Sequence, residues 1–591
     1  MQRFTPAAVA VALVLSVSPA RLTSHADTLP TDDPSTRSRS SRPDSRDDKA
    51  IVHALNRLGF GPRPGDVAKV REMGLQRYID QQLHPEKIAD PAMAPRLAGL
   101  RTIGLSSREI ATELEIPLLE ARRQRQQQAG QNGTETQPPP TPEMQRRNNQ
   151  TIVELSEQKL LRAIYSERQL QEVLTDFWFN HFNVDARKGR DRFLLTEYER
   201  EAIRPHVLGR FRDLLEATAK SPAMLFYLDN WMSADPDGPH PQARDAVRPR
   251  FGRTGVGRRS IVMPRPAQQT GNRRKRGLNE NYGRELLELH TLGVDAGYTQ
   301  KDVTEVARAF TGWTIDNPRQ GGGYTFEARL HDPGEKTVLG HKIKAGGGER
   351  DGEQVLDILA GHPATARFIT TKLVRRFVAD TPPPSLVDRA AARFRETDGD
   401  LREVMRTILT SPEFFSPEAY RAKVKTPLEF VVGVARTTGA EVEDATPLVR
   451  ALQQLGMPLY GCQPPTGYKD TADAWVNTGA LVNRMNIALA LAGNQMRGIS
   501  VDSRQLDSPK PAHADTASGG GSTVDNRPPA SPKFASGDTA SVAGASIDSR
   551  DWVTAILNGD VSEATLATIA KATTVPQVVA LTLGSPEFQR R

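Results

Sequence analysis

The sequence predicts a mainly α-helical protein: a multi-helix compact globular region, a small β-hairpin near residues 324–343 and long disordered insertions. Three observations lead to this fold class. Apolar side chains recur at helical spacing, as at Tyr282, Leu286 and Leu289. Helix-start patterns precede such runs, and Thr299 with Asp302 has the spacing of a capping box. Segments rich in Ser, Pro, Gly and Arg separate the helical runs, and they cannot bury enough apolar surface to fold by themselves.

The compact helical region is predicted to span residues 51–500, with two insertions. Residues 122–150 hold runs of Gln, Arg and Pro, and residues 236–277 are rich in Gly, Pro and Arg, so both are predicted to be disordered. Residues 501–550 follow as a disordered linker whose single aromatic residue is Phe534. Residues 551–591 are helical again, and we expect these C-terminal helices to dock on the core.

Strand-forming sequence is concentrated in one stretch of the chain. Residues 324–326 (Tyr-Thr-Phe) and residues 337–339 (Thr-Val-Leu) have β-forming side chains. Asp332-Pro333-Gly334 lies between them and is a turn sequence. We therefore predict that the two short segments pair as a small hairpin.

The first 26 residues have the pattern of a secretory signal peptide. Arg3 supplies a positive start, residues 7–17 form an apolar run, and residues 18–20 and 24–26 both offer small residues for cleavage. The run is shorter than the ~20 residues that a transmembrane helix needs, so we expect cleavage and no transmembrane segment afterwards. Residues 27–49 are predicted to be a disordered leader. The protein is expected to be exported to the periplasm, the cell surface or the extracellular space.

The positive net charge of +7 comes from one segment. Residues 241–277 carry eleven basic side chains and one acidic one, a net of +10, which leaves about −3 for the rest of the chain. The pI of 9.4 therefore does not indicate a nucleic-acid-binding protein as a whole. The basic loop 241–277 could bind a polyanion such as an acidic glycan, nucleic acid or lipid headgroups, or a partner protein. A solubilising insertion is equally consistent, because Phe251 is the one aromatic side chain among these charges.

Several longer motifs carry a family resemblance. The central one runs from Gly277 to Val294 and continues to Trp313. Further segments match at residues 57–62, 177–182, 331–336, 362–368 and 465–468 together with Trp475. On these motifs the chain resembles a bacterial family known as domain of unknown function 1800, over Ile51 to about Asn494. The resemblance implies an exported, largely helical protein, often encoded beside a second exported family of sulfatase-like proteins. It implies no activity.

The first candidate site is a carboxylate and histidine metal site. Glu285 and Glu288 are spaced i, i+3, as are Asp302 and Glu305 on the next helix, and helix bundles hold metals with paired carboxylates from facing helices. His181 could supply a further ligand, with Asp185 one turn later. The alternative is purely structural, a ladder of favourable charge pairs formed by Glu280, Arg284 and Glu288 at i, i+4, i+8.

The second candidate is a hydrolytic or general-acid site at His331 and Asp332, which precede a turn and could both face a groove. The alternative is that Asp332 caps its turn while His331 is exposed. Neighbours in sequence are not the spatial arrangement that catalysis uses, and Gly-x-Ser-x-Gly and Walker motifs are missing from the sequence. The lone Cys462 lies in no thiol-activating pattern.

Two classes of function follow from these observations. The first is a structural or interaction protein of the cell envelope that acts with a partner, such as the exported sulfatase-like protein encoded nearby. The alternative is a metal-dependent enzyme, a hydrolase or an oxidase, that uses a divalent metal. Its candidate residues are His181, Glu285, Glu288, Asp302 and Glu305 as ligands, with His331 and Asp332 as further catalytic candidates.

Overall fold

The computed structural model describes residues 48–131, 139–238, 277–501, 553–554, 556–557 and 559–591. The predicted signal peptide (1–26) and nearly all of the leader (27–49) lie outside the described residues. So do most of the insertion 236–277, which contains the basic loop 241–277, and all but the first residue of the linker 501–550.

Helices dominate the described chain, and many of them begin at a side-chain cap. In chain order they are α1 Asp48–Arg57, α2 Asp66–Met73, α3 Leu75–Gln82, α4 Met93–Leu97, α5 Ser107–Ile110, α6 Ile116–Gln131, α7 Pro142–Tyr165, α8 Gln169–His181, α9 Leu195–Glu197, α10 Phe211–Ala219, α11 Pro222–Tyr227, α12 Glu280–Glu285, α13 Gln300–Ala309, α14 Arg350–Gly361, α15 Pro363–Phe377, α16 Pro384–Glu396, α17 Leu401–Leu409, α18 Pro427–Thr437, α19 Thr446–Gln454, α20 Thr478–Ala492, α21 Glu563–Ile569, α22 Val575–Leu583 and α23 Pro586–Gln589. The mainly α fold class is confirmed.

Six short strands form three antiparallel pairs within the described residues. They are β1 Trp313–Ile315 with β2 Tyr324–Phe326, β3 Lys336–Val338 with β4 His341–Ile343, and β5 Glu441–Val442 with β6 Ile499–Ser500.

A small hairpin within 324–343 is confirmed, but the predicted pairing of its segments is wrong. Residues 324–326 pair with β1 instead, and β3 pairs with β4. The turn that closes the β3–β4 hairpin is Leu339-Gly340, where both residues have positive φ (49° and 80°). A two-residue turn with positive φ matches the twist of the flanking strands, so this turn forms the hairpin and Asp332-Pro333-Gly334 does not.

The predicted insertion 122–150 is largely helical. Helix α6 continues to Gln131, and α7 begins at Pro142 after Thr141, whose side chain accepts a hydrogen bond from Met144 N. Arg and Gln have good helix propensity, so a polar run of these residues extends a helix even without an apolar face. Residues 132–138 lie outside the described residues.

One hydrophobic core runs through the described chain, from Ala50 in α1 to Phe588 in α23. Trp178, Phe182 and Phe211 are fully buried within it, so the aromatic residues of the 177–182 motif are core residues. The C-terminal helices pack on this core, with α22 against α20 and a β-bridge between Val424 and Arg590. No helix of the described residues is both long enough and apolar enough to span a membrane.

Candidate functional site

Two of the motif segments, 277–294 and 465–468, meet other parts of the chain at one open cleft of about 650 Å³. We call it the motif cleft, and its lining residues are Asp185, Arg187, Lys188, Tyr227, Leu228, Asn281, Glu285, Gln463 and Pro465. They come from the loop after α8, the end of α11, helix α12 and the loop after α19. Side chains that are distant in sequence therefore converge on one volume, which is the usual geometry of a binding site.

One wall of the cleft is the loop 462–468, which asparagine side chains hold against the end of α8. Asn183 Nδ2 donates to the carbonyl oxygens of Cys462 and Pro464, both at 2.9 Å. Asn180 makes a reciprocal pair of hydrogen bonds with the backbone of Tyr468 (2.8 and 2.7 Å). Gly467 has φ +73°, and a Cβ atom there would lie 2.2 Å from the Asn180 carbonyl oxygen, so only glycine allows this approach.

The opposite wall is helix α12, and Asn279 fixes its start. The Asn279 Oδ1 atom accepts a hydrogen bond from Tyr282 N (3.1 Å), while Nδ2 donates to the Leu228 carbonyl oxygen (2.6 Å). The same side chain thus caps the helix and ties it to the end of α11. One turn into the helix, Asn281 and Glu285 are spaced i, i+4, which puts both on the cleft side.

The charged residues of the motif cleft differ in how well they are paired. Asp185 accepts hydrogen bonds from the backbone and side chain of Arg187 (3.0 and 2.9 Å), and Lys188 pairs with Asp229 at 2.9 Å. Glu285 has no hydrogen bond or ion pair with any residue that the structure describes. Partial burial raises the pKa of Glu285 above its ordinary value, and the nearby Glu288 raises it further.

A second unpaired carboxyl lies close to the cleft, inside the protein. Asp191 is fully buried, and neither of its carboxyl oxygens has a hydrogen-bond partner among the described residues. Burial raises the pKa of Asp191 well above its usual range. Burial therefore favours the protonated, uncharged form of Asp191.

A family model described as "Protein of unknown function (DUF1800)" matches residues 53–590. The chain belongs to this family. The match covers almost the whole described structure, including all segments that build the motif cleft, and confirms the resemblance that the motifs predict. No curated protein and no solved structure matches the sequence.

His181 of this DUF1800 protein is buried behind the cleft. Its Nδ1 atom accepts a hydrogen bond from Lys372 Nζ (2.7 Å), and its Nε2 atom donates to the carbonyl oxygen of His290 (3.1 Å). Burial and the neighbouring Lys372 lower the pKa of His181 well below its ordinary value, so the ring is neutral. Both ring nitrogens are engaged, and the structure brings no candidate carboxylate to them.

Asp302 and Glu305 bind the β3–β4 hairpin. Asp302 completes the predicted capping box with Thr299, which is confirmed, and its Oδ1 atom accepts a hydrogen bond from Leu339 N (2.8 Å). Glu305 Oε2 accepts from Thr337 N (2.7 Å). These two carboxylates, spaced i, i+3 on α13, therefore attach the β3–β4 strand pair to that helix.

The predicted ladder of charge pairs along α12 is not formed. Arg284 and Glu280 both bind Gln300 of α13 (2.7 and 2.9 Å), and Glu288 accepts from the Tyr298 hydroxyl (3.2 Å). Glu280 and Arg284 instead reach across to the facing helix α13. A π-helical stretch, Leu286–Thr291, follows α12 directly and carries Glu288. Within the described ranges, no three His, Cys, Asp or Glu side chains are grouped to hold a metal.

His331 and Asp332 lie in a buried polar network. His331 is buried, which contradicts the exposed position of the alternative prediction, and its Nε2 atom lies 3.1 Å from Asp351 Oδ2. Lys336 Nζ contacts the same Asp351 oxygen at 2.7 Å, and neither side chain is exposed at all. Asp332 accepts two hydrogen bonds from Arg308 (2.6 and 3.1 Å) and one from Gly334 N, so it does cap its turn.

The residues of the cleft that sequence reasoning missed are Arg187, Asn281 and Gln463. They carry no catalytic spacing, so periodicity could not single them out. Asn281 lies within a family motif and Gln463 lies just before one, and those positions were the available indication; Arg187 lies outside the motifs. Asp185, considered only as an accessory to His181, lies in the cleft with Glu285 instead.

Proposed function

We propose that this chain is an exported protein of the cell envelope that binds a partner through the motif cleft. The observation that carries the proposal is the half-buried Glu285 carboxylate, which has no partner within the described structure although two motif segments line the cleft around it. A desolvated, unpaired carboxylate costs free energy, and a basic group from another molecule would offset that cost.

The cleft chemistry indicates the kind of group that binds. Glu285 can accept from a Lys or Arg side chain, while the amides of Asn281 and Gln463 can both donate and accept hydrogen bonds. A volume of about 650 Å³ accommodates a few side chains of a protruding loop. The exported sulfatase-like protein that is often encoded beside members of this family is the partner that we propose.

The test is an affinity measurement between the purified mature chain and that sulfatase-like protein. We expect Glu285→Gln to weaken binding at least about tenfold and Glu285→Lys to abolish it, because a charge pair in a partly desolvated site is lost or reversed. Glu396→Lys on the outer surface of α16 is the matched control and should leave the affinity unchanged. An affinity that is equal for the wild type and both Glu285 variants would refute the proposal.

Export is the second element of the proposal, and residues 1–26 support it through their positive start, apolar run and small residues at two cleavage sites. We expect the chain isolated from the envelope fraction to begin at residue 21 or 27, as determined by N-terminal sequencing. An intact N-terminus in the cytoplasmic fraction would contradict export. Cell fractionation would then distinguish the periplasm, the cell surface and the medium.

One observation favours a second candidate, the metal-dependent hydrolase or oxidase. Asp185 and Glu285 both line the same open cleft, and a carboxyl with a raised pKa in a cleft is typical of active sites. The two carboxylates and a substrate oxygen could together hold a divalent metal. This candidate predicts stoichiometric metal in protein purified without chelators, and loss of that metal in the double variant Asp185→Asn, Glu285→Gln. If the double variant retains the metal, Asp185 and Glu285 are not its ligands and the metal is bound at another site.

A further inference from the structure

A second cavity lies where the two ends of the family domain meet. Helix α1, the segment 420–425 and the C-terminal residues enclose a volume of about 30 Å³. We call it the cation cavity, and its charged or titratable lining residues include His53, Arg421, Lys425, Glu587 and Arg591. It shares no residue with the motif cleft, so conclusions about it are independent of the proposed function.

The surroundings of the cation cavity hold more positive than negative charge. Six cations lie in one electrostatically connected cluster: Arg57, Arg376, Lys423, Lys425, Arg484 and Arg591. The carboxylates within ion-pair distance of these cations in the described residues are Glu429, Asp470 and Asp380. In the same part of the chain, no carboxylate lies within ion-pair distance of Arg57, Lys425 or Arg484.

Several of these groups lack a hydrogen-bond acceptor in the described structure. Arg57 is fully buried, and its Nη2 atom donates to Ala419 O (2.7 Å), but its Nε and Nη1 atoms have no partner. The Lys425 ammonium lies 3.8 Å from the centre of the Phe588 ring and reaches no carboxylate of the described residues within ion-pair distance. Neither ring nitrogen of His53, which is 4% exposed, has a hydrogen bond of normal geometry within the described residues, although the Phe414 backbone lies nearby.

These groups define the chemistry that would complete the site. A buried cation without a counterion is costly, so Arg57, which does not itself line the cavity, adds to the positive potential around it. His53 can donate from one ring nitrogen to a bound anion. The Lys425 side chain also lies on a wall of the cavity, where its ammonium can approach a bound ion without rearrangement of the backbone.

We propose that the cation cavity binds a small inorganic anion, either chloride or a tetrahedral oxyanion such as phosphate or sulfate. The bound ion would neutralise Lys425 and its neighbours where α1 meets the C-terminal residues 585–591. It would therefore hold together the first and last parts of the family domain. The burial that lowers the pKa of Lys425 to about 7 is consistent with a missing counterion.

The test is thermal unfolding of the full chain in chloride, phosphate and sulfate, each compared with sodium gluconate at matched ionic strength. Gluconate is too large for the cavity and controls for general salt effects. We expect a saturable rise in Tm with at least one small anion, because a ligand that binds only the native state stabilises it by mass action. The anion that saturates at the lowest concentration identifies the ion class.

Variants at Lys425 decide whether the anion acts at this cavity. Lys425→Met should raise the half-saturating concentration at least tenfold and should unfold at a higher temperature than the wild type in gluconate, because an uncompensated buried charge is removed. Lys425→Arg keeps the charge and should keep the saturable rise, and the exposed Lys301→Met on α13 should behave as the wild type. The proposal would be overturned if the melting temperature of the wild type in chloride, phosphate and sulfate equals that in gluconate. It would also be overturned if Lys425→Met reaches half-saturation at the same anion concentration as the wild type.

Discussion

The ion pair between Lys336 and Asp351 stabilises the position of the β3–β4 hairpin on α14. Both side chains are fully buried, and their charged atoms are 2.7 Å apart. Lys336 Nζ also donates to the carbonyl oxygens of Asp332 and Gly334 (2.6 and 2.9 Å). The ammonium is therefore fully hydrogen-bonded, which is the condition under which a buried charge is tolerated.

Removal of one member of this pair is predicted to destabilise the protein strongly. Asp351→Asn leaves the Lys336 ammonium without its counterion and should lower the free energy of unfolding by about 3–5 kcal/mol. The double variant Lys336→Met, Asp351→Asn should lose less free energy of unfolding than the two single variants lose together. The difference should be about 1–3 kcal/mol, because the two residues are in contact. Denaturant titration measures these values, and additive losses would contradict the coupling.

An exposed ion pair provides the matched control for this prediction. Arg367 and Asp388 form a salt bridge in which both side chains are about 60% exposed. Asp388→Asn should change the free energy of unfolding by less than about 1 kcal/mol, because solvent screens such pairs. A similar loss at both sites would show that burial does not determine the effect.

Glu285 is predicted to reduce stability at neutral pH. Its pKa is raised in the folded protein, so the folded state binds the proton more tightly than the unfolded state does, and stability falls as pH rises through the folded pKa. Glu285→Gln lacks this penalty and should unfold at a higher temperature than the wild type at pH 7, with a gain below about 1 kcal/mol because the carboxyl is half exposed.

The pH dependence of this gain identifies its cause. Melting temperatures of wild type and Glu285→Gln should converge below about pH 4, where the Glu285 carboxyl is protonated in both the folded and unfolded states. A gain at pH 7 together with weaker partner binding is the trade-off expected of a functional residue. A variant that is less stable than the wild type at pH 7 would contradict the unpaired state of Glu285.

Roles that depend on local sequence were predictable at the scale of single residues. His362 caps α15 by accepting from Ala364 N (3.1 Å), and Asp332 caps its own turn. The burial of His331 was not predictable, because it depends on Asp351 from a later helix. Glu285 was selected as a metal ligand; the structure places it in the motif cleft, and within the described residues it belongs to no group of three potential metal ligands.

At the scale of elements, helices α12 and α13 cross closely at Gly283. A Cβ atom on Gly283 would lie 2.7 Å from the Val303 carbonyl oxygen and 3.2 Å from Ala307 N. The contact is with backbone, which cannot move aside as a flexible side chain can. Because α12 also carries Asn281 and Glu285, this crossing sets the position of one wall of the motif cleft.

Gly283→Ala is therefore predicted to lower the free energy of unfolding by about 1–3 kcal/mol, since overpacking at a close contact outweighs the better helix propensity of Ala. Gly361→Ala, at an exposed helical position with open space, should raise it by about 0.5–1 kcal/mol. Thermal and denaturant unfolding of the two variants measure the difference. If both substitutions stabilise the protein, the helices do not cross as closely as the structure indicates.

Element starts were predictable where a cap and a proline coincide. Ser221 and Ser585 each precede a proline at the first helical position, and each accepts a backbone hydrogen bond at the start of α11 or α23. Strand pairing was not predictable, because the turn of the β3–β4 hairpin has Leu339 at a position where Gly, Asn or Asp is usual.

At the scale of the whole molecule, contacts distant in sequence determine both cavities. The motif cleft combines residues from 185 to 465, and the cation cavity combines His53 with Arg591. Sequence periodicity specifies which face of a helix is buried but not which helices are neighbours. The fold class was therefore predictable from the sequence, whereas the sites were not.

The basic loop 241–277 is predicted to be separable from the fold. Its flanks lie side by side, since Ala234 N donates to Gly277 O (3.2 Å) and Asn279 N to Ser233 Oγ (3.2 Å). A short Gly-Ser linker in place of residues 241–276 should therefore leave the melting temperature almost unchanged. The deletion removes a net charge of +10, so a polyanion that binds through this loop should be lost.

Elution from immobilised heparin measures that loss, because polyanion binding releases counterions and weakens as salt rises. The wild type should elute at a clearly higher salt concentration than the variant without residues 241–276. Deletion of residues 132–138, which carry no basic side chain, is the matched control and should elute with the wild type. Equal retention of all three proteins would show that the excess positive charge of this loop does not bind polyanions, and the solubilising alternative would then stand.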